Sequence, residues 1–121
     1  MPSWNDVHGY ITSNYEVTQA TEGMLTLNFK TKNLRSQVVF VGGGDTFVFF
    51  SSPFAEVGQV QPGKVLELAT IFGVKQVGDL YCVTHVALTD TIDTSEIDIP
   101  LSLMAENADE IEKSLGLSDT F

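Results

Sequence analysis

The sequence predicts an α+β fold: a single antiparallel β-sheet with about three helices, in one domain spanning residues 1–121. Short β-branched and aromatic runs follow one another from 15 to 52 with only turn-length gaps, as antiparallel strands do. Helical periodicity with start and stop signals flanks those runs at both ends of the chain. With 121 residues, 43% of them hydrophobic, the chain can fill one core but not two.

The first helix begins at Ser3, which can cap it with Asp6 three residues later, and Trp4, Val7 and Ile11 recur at helical spacing. Gly9 weakens this helix. YEVTQA, MLTLNFK, SQVVFV and TFVFFSS then read as strands. MLTLNFK alternates cleanly, with Leu25, Leu27 and Phe29 on one side and Thr26 and Asn28 on the other.

Between the third and fourth strands lies GGGD, the glycine-rich stretch that invites comparison with a phosphate-binding loop. Such a loop runs from a strand into a helix, whose free N–H groups face the anion. This one is flanked on both sides by β-branched and aromatic residues, and it lacks both the Lys-Ser/Thr ending of a P-loop and GxGxxG spacing. It is expected to be a hairpin turn with no cofactor attached.

The strands beside that turn are apolar at every position: Val38, Val39, Phe40 and Val41, then Phe47, Val48, Phe49 and Phe50. A sheet open to water on one side alternates instead, so both faces of this ribbon are expected to be covered. With few helices available, self-association supplies the second cover, and a homodimer is expected. The partner-binding residues chosen on this reading are Val39, Val41, Val48, Phe50, Tyr81 and Val83.

A middle helix is expected from Pro62 to Gly73, with an apolar stripe of Val65, Ala69 and Phe72 beside Leu66 and Leu68. Residues 80–89 form a strand in which Leu80, Cys82, Val86 and Leu88 share the core side. The last helix is expected to be capped by Asp98, with Pro100 in its first turn, an apolar face of Leu101, Met104, Ala108, Ile111 and Leu115, and a stop at Gly116.

The formal charge is −10, and nine of the sixteen acidic residues lie between Asp90 and Asp119. Such a surface repels phosphate backbones and anionic lipid, which excludes nucleic acid and membrane as partners and favours polypeptide segments with basic residues. Glu106, Asp109, Glu110 and Glu112 read as a solvated outer face of the last helix, and Lys30, Lys32 and Arg35 in KTKNLR as a solvated turn. The start of the chain shows neither a basic region nor an apolar run, and a cytoplasmic protein is expected.

Cys82 and His85 are the tempting pair for catalysis, but on a strand residues three apart point to opposite faces. With His8 they offer at most three nitrogen or sulfur ligands, so no metal site and no enzymatic activity is expected. Asp90, Asp93, Glu96 and Asp98 are hard oxygen ligands of the type calcium takes, yet they lack the spacing of an EF-hand, and Asp, Thr and Ser also suit a turn and a helix start.

A capped helix, an antiparallel meander, a helix beginning at Pro62, a further strand and an acidic terminal helix containing NADEIEKSL together resemble the YbjN family and the related class I type III secretion chaperones. The likeness extends over nearly the whole chain and rests on element order, size and acidity. It implies a usually homodimeric α+β protein that binds polypeptide without catalysis. The short, Gly-containing first helix departs from that pattern. Three functions follow as expectations: a chaperone-like binding module, a structural or regulatory homodimer without a client, and a small-ligand or metal-binding protein using the 90–98 loop.

Overall fold

The computed structural model of the protein describes residues 3–68, 72–118 and 120–121. Helix α1 (Trp4–Asn14) starts where its cap signal places it, the Ser3 side chain accepting from the backbone N–H of Asp6. Strands β1 (Val17–Ala20), β2 (Met24–Lys30), β3 (Ser36–Gly43) and β4 (Phe47–Glu56) follow as a meander. A short helix, α2 (Pro62–Leu66), leads to β5 (Gly73–Val77), β6 (Leu80–Leu88) and the long helix α3 (Thr94–Ser114). The six strands form one sheet in the order β1-β2-β3-β4-β6-β5, antiparallel throughout, so the α+β class is as predicted.

The core lies on one side of that sheet. Trp4, Val7 and Ile11 from α1, Val65 from α2, and Ile97, Leu101, Met104, Ala108 and Ile111 from α3 join Leu25, Leu27, Val39, Val41, Val48, Phe50 and Val83 in a single buried cluster. Gly43 sets how closely α1 approaches. A Cβ added there would lie 2.6 Å from Trp4 Cε3, so the absence of a side chain lets the indole pack on the strand. The GGGD stretch thus ends one strand and turns into the next, and the Thr89 hydroxyl donates to the Gly44 carbonyl at 2.7 Å.

Three elements differ from expectation. Helix α2 stops after five residues and does not reach Gly73, Leu66 is 87% exposed and contributes no stripe, and Ala69 lies outside the described residues. So short a helix gains too few hydrogen bonds to offset nucleation and holds by Pro62 and the burial of Val65. Gly73 instead opens β5, an edge strand joined to β6 by a turn in which Gly78 adopts φ +60°, a left-handed conformation that glycine accepts without strain.

Helix α3 begins at Thr94, one turn before the expected start. Asp93 caps it by accepting from the N–H of Glu96 at 2.9 Å, and Pro100 sits inside the helix, where its missing N–H forfeits one bond. Asp98, the expected cap, accepts hydrogen bonds from the hydroxyls of Tyr10 and Tyr15. Gly116, at φ +74°, follows the helix end as its sequence predicted.

Candidate functional site

Strand register decides which side chains remain outside. Met24 faces Gly42, Gly42 faces Phe49, and Phe49 faces Val86, which makes one row across four strands on the side away from the helices. Thr26, Phe40, Ser51 and Thr84 form the next row, and Phe47 stands opposite Leu88. Phe49 is 51% exposed, Leu88 54%, Met24 and Val86 each 49%, and Phe47 43%. Phe47 and Phe49 pack against each other with ring centroids 5.9 Å apart. A contiguous apolar patch of this kind is what association surfaces present.

The six residues expected to line that surface lie on the other side. Val39, Val41, Val48, Phe50, Tyr81 and Val83 are all buried, within the core under the helices. The apolar pattern at every position left the side undecided, and the observed register is the one-residue alternative. The outward-facing residues that the sequence reading did not choose are Phe40, Gly42, Phe47, Phe49, Val86 and Leu88. The alternation of MLTLNFK carries the signal. Its Leu25 and Leu27 mark the core side and pair with Val41 and Val39, which sends Phe40 and Gly42 outward.

Among the described residues, charges stand only at the margins of this open face. Pairing places Lys30 and Glu56 at strand ends and Lys75 on the edge strand β5. Both sheet edges are blunted against strand addition: β5 is short and carries Lys75, and β1 is four residues long with a register shift between Val17 and Gln19.

The acidic helix is not a free acidic surface. The turn between β2 and β3 docks on α3, so the basic cluster and the acidic face expected to be solvated separately meet each other. Arg35 Nε lies 3.0 Å from Asp109 Oδ1 and its Nη2 lies 2.7 Å from Glu112 Oε1, with both carboxylate side chains fully buried. Thr31 and Asn33 donate to Asp109 at 2.8 and 3.0 Å, and the Lys32 N–H donates to Glu106 at 2.7 Å. Lys32 Nζ reaches Glu110 at 3.4 Å; the Asn33 amide and this lysine hold the Glu110 carboxyl below its ordinary range. Leu34 takes φ +61° to close the turn, an uncommon conformation for a side chain of its size.

Cys82 and His85 diverge across the sheet. Cys82 is buried as expected and shares its side with Leu80, Val86 and Leu88, but that side faces away from the helices, opposite Pro53 and Lys75, so Val86 and Leu88 are exposed and do not join the core. Burial pushes its thiol up to about 11, so it is protonated at neutral pH. His85 lies on the helix side, its ring centroid 5.8 Å from both Phe50 and Phe72, and His8 Nε2 is 3.1 Å from the Thr21 carbonyl. Among the described residues no three His, Cys, Asp or Glu side chains are grouped to hold a metal ion. The expected 90–98 loop is mostly not a loop, since residues 94–98 form the first turn of α3; Asp93 is engaged at the helix cap and Asp98 by the two tyrosines.

An apolar groove of about 560 Å³ opens between α2 and β5, lined by Val65, Leu66, Leu68, Phe72, Val74 and Tyr81. Among the described residues, Lys75 and Gln76 are its polar lining. Among the described residues no helix is long and apolar enough to cross a membrane. No family model, curated protein or solved structure matches the chain.

Proposed function

We propose that the protein acts by non-covalent association, as a chaperone-like module that binds polypeptide on the outer face of its sheet and works as an acidic homodimer. The observation that carries this reading is the open face itself: Met24, Phe40, Phe47, Phe49, Val86 and Leu88 are contiguous in the pairing, and all of them but the partly buried Phe40 are exposed among the described residues. Fully burying one such aromatic or aliphatic side chain contributes about 1.5–3 kcal/mol, so a few of them supply useful affinity.

The charge sorts the partners. At −10 the chain repels nucleic acid and anionic lipid and draws segments that carry basic residues. The element order that resembles the YbjN family and the class I type III secretion chaperones points the same way, and the reading includes a cytoplasmic setting. A second reading, a structural or regulatory homodimer without a client, is favoured by the blunted edges, which leave the sheet face as the natural contact.

The test is copurification of tagged protein from its own cell, comparing the native chain with a Phe47→Ser, Phe49→Ser variant. Polypeptide held by the native chain and released by the variant is expected, whether that polypeptide is a second copy or a client. Undiminished binding by the variant would contradict the assignment of the face.

A further inference from the structure

We infer that the occupant of the open face is a second copy of this chain, packed sheet on sheet about a two-fold axis, with Phe49 of each copy seated over Gly42 of the other. The inference rests on the reading of that face as an association surface and names its partner: the polypeptide that fills the face is the second copy of the homodimer, in place of a client.

The relief of the face is self-complementary. Phe49 stands out from β4 and is half exposed, and directly across the pairing Gly42 presents bare backbone on β3. Met24 flanks the other side of Gly42, its Cε 3.6 Å from where a Cβ on that glycine would stand, and Phe40 lies on the same strand, so the glycine lies lower than the larger side chains that wall it. A two-fold contact uses the same patch on both copies and needs a projection and a matching hollow side by side on one surface. The Gly42–Phe49 pair supplies both. Stacked sheets pack about 10 Å apart with their strands rotated by about 30°, an arrangement in which inward side chains interdigitate.

Electrostatics leaves few other choices. Two copies at −10 repel each other wherever acidic surface meets acidic surface, and the centre of this face carries no charge, with Lys30, Glu56 and Lys75 confined to its margins. The size is adequate. Six strands about 4.8 Å apart, averaging about seven residues at about 3.4 Å each, cover roughly 700 Å² in projection, close to the roughly 800 Å² per partner of a standard interface.

Gly42 provides a test that spares the monomer. Its φ is not in the left-handed region, and a Cβ there would meet only the Gly23 carbonyl oxygen and Met24 Cε, both at 3.6 Å, an ordinary contact. Valine also suits a strand better than glycine. The Cβ of Gly42→Val is therefore accommodated, and an unchanged circular dichroism spectrum and melting temperature are the control that the variant fills the hollow while sparing the monomer. Sedimentation equilibrium across the micromolar range is expected to show a dimer for the native chain, a dissociation constant raised about tenfold or more by Gly42→Val, and no dimer for Phe49→Asp.

If Phe49→Asp dissociates the dimer and Gly42→Val does not, the seating over Gly42 is overturned while the face remains the association surface. A dimer that survives both variants overturns the inference together with the reading on which it rests. A native chain that is monomeric, yet loses a copurifying polypeptide on Phe49→Asp, overturns the second copy as occupant and leaves the face to a different chain.

Discussion

Arg35 Nε and Asp109 Oδ1 meet at 3.0 Å, joining the turn before β3 to the last turns of α3 across most of the chain. The same guanidinium reaches Glu112, and both carboxylates are fully buried. Removing the cation from such a group costs about 3–5 kcal/mol, because the carboxylates stay desolvated without it. Arg35→Met is therefore expected to lower the urea midpoint sharply, towards the lower end of that range since Arg35 itself is partly exposed. Replacing Asp109 and Glu112 with leucine and methionine in the same chain is expected to restore much of the loss.

Gly43 and Gly42 are neighbours with opposite predictions. Gly43→Ala drives a methyl into the Trp4 ring at 2.6 Å, and such overpacking costs about 1–3 kcal/mol. Gly42→Ala meets ordinary contacts only and is expected to stay within about 0.5 kcal/mol, as surface changes usually do. Thermal melts followed by the single tryptophan distinguish the two, and a red shift in its emission is expected for Gly43→Ala alone.

Tyr15 donates to Asp98, and burial, with that hydrogen bond behind it, holds its phenol well above the ordinary range. Tyr10, bonded to the same carboxylate, is raised as well, chiefly by that bond. A group whose folded pKa exceeds its unfolded value lends stability that is complete below the unfolded value, about 10 for tyrosine, and is lost as pH rises through the folded one. Stability is thus expected to decline above that pH, and Tyr15→Phe to flatten the decline. Urea melts at stepped alkaline pH measure both, and equal slopes in the two proteins would contradict the assignment.

Cys82 is expected to react slowly in the native chain. A rise from 9.0 to about 11 leaves on the order of a hundredfold less thiolate at neutral pH, and burial hinders access further. Labelling with a thiol reagent is expected to speed up at least that much on unfolding. Rapid native labelling would indicate an open, activated thiol.

Local signals in the sequence were good guides and tertiary choices were not. The Ser3 cap, the alternation of MLTLNFK, the GGGD turn and the Gly116 stop each depend on a few adjacent residues, and each appears where it was read. The face of the β3–β4 ribbon was illegible within the ribbon because VVFV and FVFF satisfy either parity, and the tie is broken only by long-range pairing with the alternating β2, which sets Val39 and Val41 beside Leu27 and Leu25 under the helices. GVKQV has too little pattern to announce β5, whose place comes from pairing with β6. Asp109 and Glu112 looked like solvated helix positions because the arginine that neutralises them lies far away in sequence. Pro100 drew the start of α3 too late, since a proline suits a first helical turn and here sits in the interior.

The central claim, association through the open sheet face, is tested most directly by the mass of the native chain in solution. Light scattering coupled to gel filtration at micromolar concentration is expected to report twice the 13.2 kDa of a single chain, and 13.2 kDa for Phe49→Asp under the same conditions. A native chain at 13.2 kDa throughout, with Phe47 and Phe49 freely exposed and no polypeptide bound to them, would contradict it.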